Sequence, residues 1–201
     1  MEFCRKEKLL LRAAVCGFIL TVLISFTGFS ARCEALSENV LRLHILANSD
    51  SQEDQAVKLL VRDAVLEEVQ SWCSEAQDFD TALAEVCTHL EGLEATANRV
   101  LEEEGASYRA KAEVCSMYFT TRTYETGTMP AGKYRALRIS LGDADGHNWW
   151  CVAFPSLCVP GASDLDALPA GTQEIVSEPE RFEVRFKAVE IFSSILDFFD
   201  V

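Results

Sequence analysis

The chain has 201 residues and carries 18 Lys and Arg side chains against 32 Asp and Glu, which gives a formal net charge of −14. This length suits one main domain with a substantial core. The acidic balance excludes nucleic acid and anionic lipid surfaces as principal partners, because both require clustered positive charge.

The N-terminal segment has the residue order of an export signal. Basic side chains precede an apolar run from Ala13 to Phe29 that contains no charged residue. Positive charge before such a run predicts that the N-terminus stays inside and that the rest is exported. Cleavage after Ser30 or after Ala35 would release the remainder, and an uncleaved membrane anchor through residues 13–29 is the alternative. We therefore predict a signal sequence or anchor over residues 1–35 and an extracytoplasmic domain over residues 36–201.

A strand leads into the first helix of the domain through a sharp turn. Over about residues 39–47, apolar residues alternate with Arg42 and His44, which is the period of a half-buried strand. Residues 48–51 are turn-forming. A helix is predicted over about residues 52–73, with a stripe of valines on the side that faces the core.

Acidic residues mark the start of this helix. Asp50 or Ser51 can act as the N-cap, and Glu53 or Asp54 can supply the acid three residues later. Negative charge here also interacts favourably with the helix dipole. The same acids could bind Ca²⁺, but the ligand order and central glycine of a calcium loop are missing, so capping explains them without a metal. No cofactor is predicted.

Beyond the first helix, the pattern changes from helical to β. A second helix over about residues 80–104, ended by Gly105, would pack antiparallel to the first, and the next strand would return beside the first strand. From about residue 108 the sequence is typical of antiparallel strands. The last two, over residues 134–141 and 149–154, should form a hairpin.

The C-terminal part divides into a loop and a helix. Residues 159–180 contain Pro and Gly with scattered acids and no period, which predicts a mobile surface loop. From about residue 187, apolar residues recur at helical spacing, so we expect a terminal helix that docks on the core or on a partner. The expected fold class is α+β: an N-terminal membrane or signal helix, a strand, two antiparallel helices, antiparallel strands and a C-terminal helix.

Adjacent residues near the end of the last strand carry two further hypotheses. Trp149 and Trp150 should point to opposite faces of the sheet, and either one is an exposed interface anchor or both are buried. Cys151 and Cys158 flank the strand end and could form a disulfide if the chain turns back. No Cys-x-x-Cys pair occurs, so a zinc site is not predicted.

The three histidines, His44, His89 and His147, give little support to an enzyme. No nucleophile-elbow, zinc-protease or paired Cys–His signature occurs. His89 lies beside the apolar stripe of the second helix, which indicates a structural role. His44, close to the Asp50 turn, is the residue that would have to act in a hydrolase.

Several blocks of this sequence resemble the stage II sporulation protein R family. They are ANSDSxEDQAxKxxVRDAV at residues 47–65, Tyr124 followed by MPAGKYRALRISLG at 129–142, HNWWCVAFPSLC at 147–158 and FEVRFKAVEIF at 182–192. Long blocks in one order are far more specific than a single short pattern. The similarity spans about residues 38–192, nearly the whole exported part.

The resemblance implies a signalling ligand rather than an enzyme. Such proteins are made in the forespore, exported into the space between two membranes, and trigger a membrane-embedded aspartic protease of the mother cell that cleaves a pro-form of a sigma factor. By this resemblance, partner binding is assigned to a set of residues in the turn, the helix start and the last strand: Asn48, Asp50, Glu53, Asp54, Lys58, Arg62, Trp149 and Trp150.

Two other classes of function stay open at this point. One is an extracytoplasmic hydrolase acting on cell wall or peptide, for which His44 and Asp50 are the residues to test. The other is a membrane-tethered structural module, which requires residues 1–29 to stay attached.

Overall fold

The chain forms a mixed α+β fold in this computed structural model, which describes residues 2–73, 75–124, 127–155, 168–183 and 185–187. The first half contains α1 (Glu2–Glu38), β1 (Leu41–Leu46), α2 (Gln52–Cys73), α3 (Phe79–Thr88) and α4 (Leu90–Glu103). The second half contains β2 (Ala110–Phe119), β3 (Arg122–Tyr124), β4 (Gly127–Met129), β5 (Gly132–Leu141), β6 (Asn148–Phe154), α5 (Gln173–Ser177) and a 3₁₀ helix (Pro179–Phe182). The α+β class is confirmed.

The main sheet has four strands in the order β2-β5-β1-β6. β1 runs parallel to β5 and antiparallel to β6, and β2 runs antiparallel to β5. β3 and β4 form a separate two-stranded sheet. The sheet is therefore mixed, whereas the sequence analysis expected antiparallel pairing only.

Three expectations about the strands are wrong for one reason, which is the central position of β1. β5 and β6 do not form a hairpin, because β1 lies between them, and β2 lies beside β5 rather than beside β1. β1 is also buried on both faces, including Arg42 and His44, instead of half-buried. A central strand covered on both sides has no solvent face for alternate polar residues.

Helices α2, α3 and α4 cover one face of the sheet. Val57, Val61, Val65 and Val69 of α2 pack in one core with strand residues such as Leu43. This confirms both the bounds of α2 and the predicted valine stripe. Gly105 has a φ of +73°, and the Ala106 N–H donates to the Leu101 carbonyl at 2.9 Å, which confirms the glycine-ended C-terminus of α4.

The predicted second helix is two helices, α3 and α4, because the chain bends at His89. The His89 backbone N–H donates to the Glu85 carbonyl at 3.0 Å, and ring Nδ1 lies 2.9 Å from the same oxygen. The imidazole stacks on Trp72 with ring centres 4.2 Å apart. His89 therefore has the structural role that was expected of it.

The other face of the sheet is covered by the end of α1, the β3–β4 hairpin and α5. These elements share a second core, which contains Leu36, Val40, Phe119, Met129, Tyr134, Ala136, Val152, Leu168 and Val176. Among the residues described, no helix combines the length and the apolar character needed to cross a bilayer.

Residues 168–180, part of the region 159–180 that was predicted to be a mobile loop, contain regular structure. Residues 168–180 include α5 and enter the 3₁₀ helix, and Leu168, Ile175 and Val176 are buried. The sequence pattern did not predict their burial, because Pro and Gly residues interrupt the hydrophobic spacing around them. Residues 156–167 and the predicted terminal helix beyond residue 187 lie outside the described residues.

Candidate partner-binding surface

Ser51 caps the N-terminus of α2. Its Oγ accepts a hydrogen bond from the Asp54 N–H at 3.1 Å, and its carbonyl accepts one from the Gln55 N–H at 3.0 Å. Ser51 is therefore the N-cap, and Asp54 rather than Glu53 is the acid at the third helical position. The Ser51 N–H donates to the Ser49 hydroxyl at 3.1 Å, so the turn supplies the partner that a capping-box acid would have been.

The Asp54 carboxylate joins three parts of the chain. It accepts hydrogen bonds from Ser49 Oγ at 2.5 Å, from Tyr108 OH at 2.5 Å and from Asn48 Nδ2 at 2.9 Å. The hydrogen bonds from Ser49 and then from Tyr108 hold the pKa of Asp54 at about 2. Since Tyr108 lies just before β2, Asp54 ties the start of α2 to the turn before it and to the strands after the helices.

The loop between β5 and β6 lies directly on this turn. The Asp143 N–H donates to Asn48 Oδ1 at 3.0 Å, and the Asp145 N–H donates to the Asn48 carbonyl at 3.2 Å. The Gly146 N–H donates to the Ala47 carbonyl at 3.0 Å. Residues 142–147 thus cross the end of β1 and are held there by backbone hydrogen bonds.

Two glycines permit this close approach. A Cβ at Gly142, where φ is +56°, would collide with Asn48 Oδ1, and a Cβ at Gly146 would collide with the Ser49 carbonyl oxygen. The sequence pattern predicted only that the strands on either side of these glycines form a hairpin. Their contact with the 47–49 turn could not be read from spacing, because the two segments are far apart in the chain.

Lys58 holds the same loop from the side of α2. Its ammonium donates to the His147 carbonyl at 2.9 Å and to Gln55 Oε1 at 2.6 Å, and its side chain is buried. Burial lowers the pKa of Lys58, while the Asp50 carboxylate opposes that shift. Lys58 therefore has a structural partner and is not available on the surface.

Asp50 and His147 join the turn before α2 to the β5–β6 loop at the surface. Asp50 Oδ1 lies 2.5 Å from His147 Nδ1 and accepts the His147 backbone N–H at 2.6 Å. The side chains are 57% and 80% exposed, respectively. The hydrogen bond from the His147 side chain, followed by that from its backbone, lowers the pKa of Asp50.

The 47–54 turn and the 142–147 loop lie against each other, and we call them the docked segments. Exposed carboxylates surround them. We call these carboxylates the acidic rim, which consists of Asp50, Glu53, Asp143 and Asp145. Asp50 and Glu53 belong to the predicted partner-binding set, and Asp143 and Asp145 were placed there only by the docking of the β5–β6 loop. Asn48, Asp54 and Lys58 of the same set lie beneath the rim and support it.

Trp149 and Trp150 point to opposite faces of the sheet, as expected, and each is half-buried. The Arg62 guanidinium lies over the Trp149 ring at 4.4 Å and pairs with Asp63 at 2.6 Å. On the other face, Trp150 stacks on His44 with ring centres 3.9 Å apart, and Arg122 lies over it at 5.4 Å.

Arg42 has a role that the sequence analysis missed. Its side chain is fully buried, and its guanidinium lies 4.4 Å from the ring centre of Phe119. Nε donates to the Cys151 carbonyl at 3.0 Å and Nη2 donates to Tyr124 OH at 2.6 Å. The alternating pattern marked Arg42 as a solvent-facing residue, so no local signal indicated an arginine among aromatic rings.

The residues named for a hydrolase are not brought together. His44 is buried against Trp150, and the histidine at Asp50 is His147. Within the described ranges, no group of three or more His, Cys, Asp or Glu side chains is placed to hold a metal ion.

Residues 37–164 match the family model described as "Stage II sporulation protein R (spore_II_R)". The chain belongs to the stage II sporulation protein R family. It is 38% identical over 133 residues to "Stage II sporulation protein R" of Bacillus subtilis (strain 168), a match that covers 66% of this chain and 59% of that relative. No solved structure matches.

Membership of the stage II sporulation protein R family supports a role in sporulation and gives the docked segments a context. The matched range contains the 47–54 turn, Tyr108 and the β5–β6 loop, so the acidic rim and its supports lie inside the family domain. The match also begins within α1, at residue 37.

The cysteine pairing proposed from spacing stays a prediction. Cys151 is disulfide-bonded, but Cys158 lies outside the described residues. In the described part of the chain, free thiols are found at other positions, namely Cys16, Cys33, Cys73, Cys87 and Cys115.

Replacing Asp54 by asparagine is expected to lower the free energy of unfolding by about 2 kcal/mol, because three hydrogen bonds lose their charged acceptor. Urea unfolding of the full-length protein measures this. Glu53→Gln is the matched control, since Glu53 is the neighbouring exposed acid, and it should cost less than about 0.5 kcal/mol. Equal effects of the two changes would contradict the role given to Asp54.

Proposed function

We propose that this protein is an exported sporulation signal that activates a membrane-embedded aspartic protease of the mother cell. It is made in the forespore and faces the space between the two membranes, to which the apolar N-terminal part of α1 delivers or anchors it. Activation leads to cleavage of a pro-form of a mother-cell sigma factor. The observation that carries the proposal is the family match, which encloses the docked segments and their acidic rim.

The protein acts in this proposal by binding and not by catalysis. A ligand shifts a receptor between inactive and active forms only by binding the active form more tightly. Such a ligand needs a surface of fixed shape. The hydrogen bonds of Asn48, Asp54 and Lys58 hold the two loops in one arrangement, which supports their use as a contact surface.

We assign the receptor contact to the acidic rim, with Arg62 and Trp149 beside it. Rim charges guide encounter and disfavour wrong partners, so the complementary receptor surface should be basic. Trp150, on the opposite face with His44, would then be outside the contact. The residues suggested by the resemblance therefore fall into two groups: those that contact the receptor and those that hold the contact residues in place.

The proposal is tested by producing the full-length protein together with the candidate receptor protease and its pro-sigma substrate in a non-sporulating bacterium. Cleavage of the substrate, followed by immunoblot, should depend on this protein. If the folded protein is exported and no cleavage occurs, the signalling assignment is wrong.

Reversing two rim charges tests the contact surface. Asp50→Lys with Glu53→Lys should lower substrate cleavage roughly tenfold or more, because like charges would then face each other across the interface. Glu102→Lys with Glu103→Lys, on the exposed end of α4, makes the same change in net charge and should leave cleavage unchanged. Similar losses in both variants would show that total charge matters and not the rim.

A further inference from the structure

The environment of α1 changes part-way along the helix. Its first part carries large apolar side chains that are 48–70% exposed: Leu10, Leu11, Val15, Phe18, Leu20 and Ile24. From Phe26 onward the large apolar side chains pack against the rest of the protein, with Phe29 and Leu36 fully buried and Cys33 5% exposed. The helix itself is continuous from Glu2 to Glu38.

Phe29 is the centre of a small core between α1 and the C-terminal region. Its ring stacks on Phe182 with centres 5.5 Å apart and meets the edge of Phe186 at 5.6 Å. Cys33 and Ile175 complete this core. Burial raises the pKa of the Cys33 thiol to about 12, which agrees with its position inside the fold.

Polar contacts fix the same part of α1. Arg185 donates to Ser25 Oγ at 2.9 Å, and Arg32 donates to the Gly171 carbonyl at 3.4 Å. One turn further on, Leu36 packs with Phe119 and Tyr134 in the core on the second face of the sheet. Residues 25–38 are therefore joined both to the C-terminal region and to the main sheet.

We infer that the folded domain begins inside α1, at about Phe26, and that the mature protein keeps residues 26–38. Cleavage after Ala35 would remove Phe29 and Cys33 and expose Phe182 and Phe186, which they cover. Cleavage after Ser30 would remove Phe29. Any processing of the chain takes place on the N-terminal side of Phe26, and the two cleavage positions that the sequence suggested are not used.

This inference does not depend on the protease assignment, and it is tested on the exported full-length protein. The intact mass and N-terminal sequence of the protein recovered after export are determined. An N-terminus at or before residue 26, including an unprocessed chain, is the expected result. A mature protein that begins between residues 27 and 39 overturns the inference.

Thiol reactivity gives a second reading without any substitution. In the folded full-length protein, purified in mild detergent, Cys33 should react with iodoacetamide roughly 100-fold more slowly than the exposed Cys87. Unfolding should abolish the difference. Equal rates in the folded protein would show that α1 does not pack on the domain and would overturn the inference.

A pair of alanine variants measures the contribution of the packing. Phe29→Ala should lower the melting temperature by roughly 10 °C, because a buried ring is lost. Phe18→Ala, on the exposed part of the same helix, should change it by roughly 1 °C or less. Equal, small shifts would mean that residues 26–38 are dispensable for the fold.

Discussion

Replacing Arg42 by alanine is expected to lower the free energy of unfolding by about 4 kcal/mol, the largest loss that we expect from a single substitution in the sheet. The change opens a cavity beside Phe119 and leaves the Cys151 carbonyl and the Tyr124 hydroxyl without their donor. Chemical denaturation of the full-length protein, followed by tryptophan fluorescence, measures it.

Arg42→Met separates packing from charge at this position. Within the described residues no carboxylate pairs with the guanidinium, and Nη1 has no hydrogen-bond partner. A buried guanidinium without a carboxylate partner is held charged at a cost, so burial lowers the pKa of Arg42, against the opposing influence of Tyr124 and Tyr134. Methionine keeps most of the unbranched stem of the side chain without that cost, so it should recover at least half of the stability lost in the alanine variant.

The control for the arginine series is Arg122→Ala. Arg122 is exposed and lies over the outer side of Trp150. The substitution should lower the free energy of unfolding by less than about 1 kcal/mol, as expected for loss of an exposed cation over an aromatic ring. If Arg42→Ala is no more destabilising than Arg122→Ala, the buried arginine does not organise this face of the sheet.

Lowering the pH from about 6.5 to about 4 is expected to remove about 3 kcal/mol of stability through His44 alone. Burial, and to a lesser extent the charge of Arg138, lowers the pKa of His44 to about 4, while Asn148 opposes the shift. Neither ring nitrogen has a hydrogen bond of ordinary geometry in the described part of the chain. The folded state therefore favours the neutral form of the His44 imidazole.

The direction of this pH effect follows from proton binding at His44 in the folded and unfolded states. Below a pH of about 6.5 the unfolded chain binds a proton at His44, whereas the folded protein does not until the pH reaches about 4. Stability is thus fully present above pH 6.5 and falls as the pH falls through this window.

His44→Phe tests this pH dependence and keeps the aromatic stack on Trp150. Wild type and variant should differ in pH dependence by about 2 to 3 kcal/mol between about pH 7 and about pH 4.5, measured by urea unfolding. Carboxylates titrate in both proteins and cancel in the comparison. The same pH dependence in the two proteins would mean that His44 is hydrated or paired in the folded state.

Local signals predicted the strand–turn–helix segment well. The residues that start α2, the valine stripe and the glycine that ends α4 all act through neighbours within a few positions, so their spacing is informative. The bend at His89 was not visible, because it depends on Trp72 of a different helix. Local sequence patterns predict the positions of helices and strands better than they predict which elements pack against one another.

The acidic rim could be predicted only in part. Asp50 and Glu53 were expected on the surface from the helix start, but the second half of the rim depends on the β5–β6 loop crossing the end of β1. That crossing follows from strand order, which hydrophobic period does not encode. The same reason explains why Arg42, on a strand with alternating polar residues, was expected to face solvent.

The central position of β1 also bears on the order of folding. Leu41 pairs with Arg135, about 94 residues later, and Leu46 pairs with Asn148, about 102 residues later. A sheet whose middle strand is made first has high contact order, and it closes only when nearly all of the domain is present. In a chain that is exported while its N-terminus stays inside, β1 would be the first of these strands to cross and would remain unpaired until β5 and β6 follow. If the protein is exported in this way, the topology would delay formation of the sheet until residue 154 has crossed, and the chain would stay extended until then.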